Sequence, residues 1–555
     1  MHTLKLLLDT TKADEVFISS IFDAIAKVHN ILVAEGKKRL RMLKRDKRYK
    51  YAREHYGEAA AAAAKLDKKL QSLQKKLDDE KNVDKAAVRK LKQQIKEIRS
   101  EWRQAEAVRK QYAAELNERL EFYGASKNGM ESFATQSLNP KFKGLLGSQQ
   151  IQVEADRIWF GMEKVLFGDG RDIHYKKYRD IRTIRGKQNT TGIRFIKDIL
   201  SVLWNGHTIP VVCKERLDKA AVNGVKNKDT AYKLESLSGD TRYCEIVREE
   251  FMDGYHYYAN LYIDGDAPKK LTPGTGRCGI DPGVSSMAAV SEKHLFLEEL
   301  APEYKKYDKG IFKLQQKADR IRRELNPQNY AEDGTIIKRK PGQKRIWHSS
   351  PAYESIMQRI RILYRKKAAY IRQSHSILCS RLIQSADTFL IEDMDFRALA
   401  KRASETRRAD KKSVVTAADG TKKEVYKYKR KKRFGKSVAS RAPALILQIL
   451  SMKCGQYGLA YLTTDTRKMK ASQYDHTSDT CTKHTLKDRM LVLSDGTTVQ
   501  RDLYSAYLHQ HTDTSLEHPD REACIRDFSA FMSMHDALIR QMKADGASMK
   551  QCFGF

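Results

Sequence analysis

The 555-residue chain lacks several features that would place it in common protein classes. It has no run of about 18 uncharged apolar residues, the length that a membrane-spanning helix needs. Its first residues lack the apolar core and small-residue cleavage site of a secretion signal, so we expect a cytoplasmic protein with no membrane partner. The eight cysteines are scattered singly, which fits neither a disulfide framework nor an intact zinc site built from two Cys-x-x-Cys pairs.

Several catalytic motifs are missing as well. No Gly-x-Ser-x-Gly or His-Glu-x-x-His stretch occurs, so neither a serine hydrolase nor a zincin is supported. Residues 435–437 (Gly-Lys-Ser) match the end of a Walker A loop, but Arg430 occupies the position of its first glycine and no strand precedes it. An ATPase is therefore disfavoured.

Positive charge is the most prominent feature that is present. The chain has 105 Lys and Arg against 70 Asp and Glu, a net charge of +35, which favours binding to nucleic acid. Aromatic rings alternate with basic residues at 304–312 and 426–434, as in surfaces that neutralise phosphates and stack on unpaired bases. The candidate nucleic-acid-binding residues of the densest run are Lys427, Lys429, Arg430, Lys431, Lys432 and Arg433.

The pattern of elements predicts a chain with α/β, α and β parts, and the length predicts two to four domains. Short strand-like segments separated by Gly, Asn and Asp turns between 190 and 265 favour a small antiparallel barrel or sheet, which a strand near the N-terminus would join. We expect a first strand in 1–13, a helical lobe in 14–145, the rest of the barrel in 146–270, a linker in 271–276, an α/β core in 277–470 with a basic insertion at 398–436, a further insertion in 471–500, and C-terminal helices in 501–555.

Within the helical lobe, residues 56–120 are rich in Glu, Lys, Gln and Arg. Leucines at 66, 70, 73 and 77 recur at gaps of four and three, and a second such series follows a polar break. This spacing predicts two helices in an antiparallel hairpin. A dimerising coiled coil is the alternative, but about two heptads per arm is shorter than such proteins usually show.

Three acidic residues that lie far apart in the sequence are the candidate catalytic residues. Asp281 lies in a predicted strand–turn–strand unit, Glu392 ends a later apolar strand, and Asp502 opens a helix that would pack across the sheet. Taken singly, such acids are usually turn, solvent-facing or capping residues. Clustered carboxylates repel one another unless a cation joins them, and two Mg²⁺ ions stabilise both oxygens in phosphodiester hydrolysis. The three acids therefore predict a magnesium nuclease site, with Asp393 and Asp395 as bystanders.

The segments around these acids resemble the three RuvC motifs of the TnpB and type V CRISPR effector family. They are 279–283 (Gly-Ile-Asp-Pro-Gly), 391–394 (Ile-Glu-Asp-Met) and 501–502 (Arg-Asp). Residues 447–458 resemble the family helix that ends in Lys and then Tyr-Gly, and 477–481 (Thr-Ser-Asp-Thr-Cys) resemble the entry to its zinc ribbon. The resemblance is specific over 276–508.

The resemblance implies an RNase H-like RuvC nuclease domain, preceded by a small β-barrel wedge domain that a helical recognition lobe interrupts. It also implies a guide RNA as one partner and target double-stranded DNA, with its unwound single strand, as the other. The catalytic and magnesium-binding residues would be Asp281, Glu392 and Asp502.

The zinc ribbon departs from the family pattern. Residues 481–484 read Cys-Thr-Lys-His, and the second Cys-x-x-Cys pair is absent. Cys481 and His484, together with His476 or His509, are the candidate zinc ligands. Because zinc normally takes four ligands of set geometry, we favour a metal-free loop, and Cys481 alone would then be a small buried residue.

The primary hypothesis is an RNA-guided, Mg²⁺-dependent DNA endonuclease. One alternative is a guided DNA-binding repressor that no longer cuts, which the altered ribbon keeps open. A third is a DNA-strand-transferring transposase, whose core also uses clustered acids.

Overall fold

The computed structural model divides the chain into two compact units, Met1–Ala267 and Pro268–Phe555. It describes residues 1–80, 85–168, 170–223, 227–332, 334–337, 343, 345–400, 413–416, 422–425, 435–485 and 488–546. The predicted basic run at 427–433 lies outside these residues, and so does most of the insertion predicted at 398–436.

The first unit begins with a strand, continues with helices and ends with strands. Its elements are β1 (His2–Leu7), α1 (Lys12–Arg45), α2 (Lys47–Glu80), α3 (Lys85–Phe122), α4 (Lys127–Phe133), α5 (Asn139–Phe142), α6 (Ser148–Phe167), β2 (Thr183–Arg185), β3 (Arg194–Ile196), β4 (Ser201–Trp204), β5 (His207–Pro210), α7 (Lys214–Asn223), α8 (Lys228–Ser236), β6 (Thr241–Glu250) and β7 (Tyr255–Ile263).

The helical part is longer than predicted. The hairpin of α2 and α3 spans residues 47–122 rather than 56–120, with a small core of Leu70, Ile95 and Ile98. The α6 helix carries the helical part to residue 167, past the predicted boundary at 145, because its apolar residues pack in the same core as α1. By length and composition α1 could cross a membrane, but its apolar face is buried in this core.

The strands of the first unit form two sheets rather than one closed barrel. The four-stranded sheet has the order β1-β7-β6-β2, the three-stranded sheet has the order β3-β4-β5, and a bridge between Leu8 and Val211 joins them. Between β5 and β6 the chain forms the two helices α7 and α8. As predicted, the N-terminal strand pairs within the larger sheet.

The second unit is a mixed α/β structure. Its elements are β8 (Arg277–Pro282), β9 (Ser286–Ser291), β10 (Leu295–Glu299), α9 (Tyr304–Leu325), α10 (Pro351–Ile383), β11 (Thr388–Glu392), α11 (Phe396–Ala400), β12 (Ser413–Thr416), β13 (Lys422–Val425), α12 (Gly435–Arg441), α13 (Pro443–Tyr457), β14 (Ala460–Thr464), α14 (Thr466–Met469), β15 (Tyr474–Asp475), β16 (Thr480–Cys481), β17 (Met490–Val492), β18 (Thr498–Gln500), α15 (Arg501–Gln510) and α16 (Arg521–Ala544).

A five-stranded sheet organises this unit, in the order β10-β9-β8-β11-β14. The first three strands in sequence, β8 to β10, form an antiparallel meander, and β11 and β14 then run parallel to β8. One face packs on α10 and α13, and the other packs on α15 and α16. Because helices cover both faces of the central strands β8, β9 and β11, these strands are mostly apolar, and polar side chains come at their ends.

Candidate active site

Glu392 lies beside Asp281 because β8 and β11 run parallel in register. Ile280 pairs with Ile391, and Glu392 is the next residue of β11. Side chains alternate between the two faces of a strand, so Asp281 and Glu392 leave their strands on the same face. The register of one strand pair thus brings together two acids that lie more than a hundred residues apart in the sequence.

Asp502 joins them because α15 approaches β8 very closely. A Cβ on Gly279 would lie 2.0 Å from the carbonyl oxygen of Ala506, so only glycine permits this contact. Asp281 follows Gly279 by two residues and shares its face of the strand, while Asp502 precedes Ala506 by one helical turn. The Gln500 side chain caps the start of α15 by accepting a hydrogen bond from the Leu503 N–H.

The electrostatics show that the three carboxylates interact. Burial raises the pKa of Asp281 well above its ordinary value, and the charges of Glu392 and Asp502 raise it further, while Arg501 opposes the shift. Burial also raises the pKa of Glu392, which shares a hydrogen bond with Asp281. Both shifts have the same sign, so the two carboxyl groups bind protons more readily than they would in water.

Asp502 is held differently, by two arginines. The Arg489 Nη1 donates to one carboxylate oxygen at 2.9 Å, and the Arg501 Nη2 donates to the other at 2.9 Å. The exposed side-chain fractions are only 14% for Asp502 and 12% for Arg501, so this ion pair is shielded from water. The negative charge of Asp502 is therefore compensated, while those of Asp281 and Glu392 are not.

The donors suit magnesium, although they are not arranged as a complete metal site. Mg²⁺ prefers carboxylate oxygens, and a cation would relieve the repulsion that raises the pKa of Asp281 and of Glu392. Among the residues that the structure describes, no three His, Cys, Asp or Glu side chains converge closely enough to hold a metal ion. Asp502 would have to turn from its arginines to become a third ligand.

The two neighbouring acids differ from each other. The charge of Asp393 contributes to the raised pKa of Glu392, so this residue influences the site. Asp395 instead accepts hydrogen bonds from the Arg397 and Ala398 N–H groups at the start of α11, which is a local structural role.

Two rings of the predicted aromatic stretch at 304–312 are used inside the protein. The Tyr304 hydroxyl accepts a hydrogen bond from Arg441, whose guanidinium lies 4.5 Å from the centre of that ring. Tyr307 packs on Tyr370, with ring centres 5.6 Å apart. Phe312 is 59% exposed, so it is the ring of this stretch that is open to a base.

The candidate zinc ligands do not gather. Cys481 is exposed, so the expectation that it would be a small buried residue is wrong; β16 pairs only with the two-residue β15, which does not cover it. The His476 ring is buried, and its Nδ1 lies 2.7 Å from the Tyr504 hydroxyl. His509 is buried in α15, with Nδ1 3.0 Å from the Thr464 hydroxyl. His484 is partly exposed.

Sequence reasoning missed Arg489, and it quoted Gly279 and Arg501 within the motifs without assigning a role to either. Gly279 stands in the motif that contains Asp281, two positions earlier, so a close backbone approach there was a readable signal. Arg501 adjoins Asp502 in the sequence. Arg489 carries no local signal, because the hairpin of β17 and β18 brings it to Asp502.

No protein-family model matches the chain. No curated protein matches it either. Among solved structures, it is similar to a cryo-EM structure of a Cas12f1–sgRNA–target DNA complex, with a TM-score of 0.42 and 11% identity over 92% of this chain and 98% of that chain. It is also similar to a cryo-EM structure of a CRISPR-Cas12f ternary complex, with a TM-score of 0.21 and 12% identity over 91% of this chain and 98% of that chain.

Proposed function

We propose that this chain is an RNA-guided DNA endonuclease that hydrolyses phosphodiester bonds at Asp281, Glu392 and Asp502. The proposal rests mainly on one observation: Asp281 and Glu392 lie side by side at the C-terminal ends of β8 and β11, with Asp502 nearby at the start of α15. Burial and repulsion between these acids raise the pKa of Asp281 and of Glu392. Strongly perturbed, interacting carboxylates are characteristic of functional sites.

The topology of the second unit supports a RuvC-type assignment. An antiparallel meander followed by two strands parallel to its first strand is the arrangement expected of an RNase H-like nuclease domain. In such a domain the acids would lie on the first strand, the fourth strand and a helix across the sheet. Asp281 on β8, Glu392 on β11 and Asp502 on α15 fit this expectation.

The three carboxylates would hold two Mg²⁺ ions once Asp502 turns from Arg489 and Arg501. When bound, these would stabilise the attacking and leaving oxygens of the phosphodiester. The chain's own groups shape the site: burial and repulsion make Asp281 and Glu392 receptive to a cation, and Arg489 and Arg501 hold the Asp502 carboxylate by hydrogen bonds. The Gly279 contact with α15 fixes the separation between the helix and the strand.

The partners in this proposal are a guide RNA and a target DNA. A net charge of +35 gives the protein the long-range attraction to phosphates that such a complex needs. Guide and target are also the molecules in the Cas12f1 complex reported above. Base pairing to the guide would select the sequence, while the protein would recognise a short flanking motif and the shape of the heteroduplex.

A guided DNA-binding protein that does not cut is the second candidate. The observation that favours it is the pair of arginines on Asp502, which leaves the third carboxylate engaged. If these ion pairs persist when DNA is bound, the site would hold a cation through Asp281 and Glu392 alone.

Plasmid cleavage by the protein with its co-purified RNA separates these candidates. The RNA is sequenced, and a supercoiled plasmid carrying its complement is incubated with the complex in Mg²⁺ and in EDTA. We expect nicked or linear product in Mg²⁺ only, and only with the matching plasmid. A mobility shift without broken strands would favour the binding protein, whereas joined DNA strands and no discrete RNA would favour a transposase.

A further inference from the structure

Residues 471–500 occupy the place where the resembled family has a zinc ribbon, but their side chains do not fit a zinc ion. The His476 ring bonds to Tyr504, the His509 ring bonds to Thr464, and Cys481 faces solvent. Among the described residues no three potential ligands come together. Since a structural zinc site needs four ligands in tetrahedral geometry, something else must order this segment.

Part of that order comes from apolar packing. The segment forms two short antiparallel hairpins, β15 with β16 and β17 with β18. The second hairpin belongs to the core on the α15 face of the sheet, and its buried members are Leu491, Leu493 and Val499. His476 is itself buried and packs on Phe528, with ring centres 4.5 Å apart. His476, which the sequence offers as a candidate zinc ligand, is thus a residue of the protein core.

The two hairpins are joined through the carboxylate of Asp475. One oxygen accepts from the Thr477 N–H at 2.9 Å and from the Thr477 hydroxyl at 2.7 Å. The other accepts from the Ser494 N–H and hydroxyl, each at 2.8 Å. Thr477 lies in the turn of the first hairpin and Ser494 in the turn of the second. The Asp475 carboxylate therefore connects the turns of both hairpins, as the metal ion does in a zinc ribbon.

The second hairpin leads from this junction to the active site. Ser494 lies at its turn, and at its open end the Arg501 N–H donates to the Arg489 carbonyl at 2.8 Å. Arg489 and Arg501 then hold Asp502. A hairpin with strands of three residues is marginally stable alone, so fixing its turn also fixes its open end.

We propose that Asp475 takes the place of zinc as the organiser of residues 471–500, and that through the β17–β18 hairpin it is a positioning residue for Arg489 and Asp502. The first part is independent of the proposed nuclease activity, and the second part rests on it. The segment is accordingly a metal-free element of the fold.

The first test measures zinc and stability in the full chain. Purified wild-type protein is expected to contain no stoichiometric zinc, and 1,10-phenanthroline should leave its melting temperature unchanged. One zinc per chain that survives dialysis, with a lower melting temperature after chelation, would overturn the proposal. This result does not depend on whether the protein cuts DNA.

The second test uses Asp475→Asn with Asp479→Asn as its matched control. The asparagine at 475 cannot accept hydrogen bonds on both sides, so amide hydrogen exchange should rise throughout 489–500. Asp479 lies in the same hairpin turn, has a φ of 57° that asparagine tolerates, and within the described part of the chain accepts one bond, from Tyr474. Its variant should exchange like the wild type. Equal exchange in 489–500 for Asp475→Asn and the wild type would refute the organising role.

The third test separates positioning from mere stability. Ser494→Ala, a milder variant that keeps the carboxylate, should lower kcat for cleavage with KM for DNA unchanged, as should Asp475→Asn. Combined in one chain, the two substitutions should cost less than the product of their separate effects, because both break the same junction. Independent, multiplicative effects, or a change confined to KM, would contradict the positioning role. If the wild type does not cut, the zinc and exchange results still decide the organising role.

Discussion

Two carboxylate centres in the second unit have opposite electrostatics. At the C-terminal ends of β8 and β11, Asp281 and Glu392 are buried against each other, and their pKa values are raised. In the insertion, burial would raise the pKa of Asp475, but hydrogen bonds from Thr477 and Ser494 lower it to about 2. A carboxylate whose hydrogen bonds are complete stabilises a fold, whereas a pair left repelling each other is arranged to receive a cation.

Of the substitutions at these two carboxylate centres, we expect removal of the Asp281 carboxylate to have the largest effect, on the rate of DNA cleavage. Asp281→Ala should reduce the single-turnover rate by a factor on the order of 10³ or more, because a cation would lose one of its carboxylates, while guided DNA binding stays nearly intact. The matched control is Asp395→Asn, which keeps the hydrogen-bond acceptor at the start of α11. A variant that still cuts at the wild-type rate in Mg²⁺ would remove Asp281 from the site.

The different electrostatics of the two centres predict that replacing aspartate by asparagine changes the stability of the protein in opposite directions at positions 281 and 475. Asp281→Asn should stabilise the cation-free protein, because it removes a repelling charge, while Asp475→Asn should destabilise it. A change of about 1 kcal/mol in the free energy of unfolding would shift the melting temperature by roughly 2–4 °C for a unit of this size. Thermal unfolding in EDTA measures both variants. Two shifts of the same sign would contradict the comparison.

The pH dependence of stability should also differ in sign. The pKa of Asp475 is below its ordinary value of 3.8, so the stability it contributes is complete above pH 3.8 and is lost as the pH falls toward about 2. The pKa of Asp281 is raised, so its contribution is present below pH 3.8 and is lost as the pH rises through the folded-state value.

Urea unfolding of both variants and the wild type between pH 3 and 7 tests this prediction. The deficit of Asp475→Asn should shrink toward acid pH. The advantage of Asp281→Asn should grow with rising pH. Parallel curves for the two variants would show that the two carboxylates titrate alike.

The parts of this structure that could be predicted are those whose residues form a recognisable pattern in the sequence. Apolar strands that end in an acid are visible as patterns, so Asp281 and Glu392 could be placed on β8 and β11 before the register was known. Donors such as Thr477 and Ser494 resemble ordinary loop residues, so the Asp475 junction could not be foreseen.

Element boundaries were predicted well where periodicity is strong. Two long basic stretches of the sequence predict helices at roughly 303–325 and 353–384, and the structure has them at Tyr304–Leu325 and Pro351–Ile383. Short elements were missed: β2 and β4 have three and four residues, and α7 and α8 have ten and nine, too few for a clear period. The strands predicted to form a small barrel or sheet pair into two sheets. The basic run at 427–433 stays a prediction.

The smallest expected effect concerns the arginines on Asp502. Arg489→Gln removes one ion-pair partner that competes with a cation, so the Mg²⁺ concentration for half-maximal thermal stabilisation should fall by roughly two- to threefold. Arg526→Gln is the control, because Arg526 pairs with Asp527 on α16 instead. A need for more Mg²⁺ in Arg489→Gln than in the wild type would show that Arg489 supports the cation rather than competing with it.

Mapping of the cation site by bound iron tests the central claim most directly. Fe²⁺ replaces Mg²⁺ in the guide RNA–DNA complex, and ascorbate with peroxide generates hydroxyl radicals that cut the backbone beside the ion. The account predicts cuts near residues 281, 392 and 502, their suppression by excess Mg²⁺, and no cuts near 475 and 494. Cuts confined to 475–494, or absent from all three acidic positions, would contradict it.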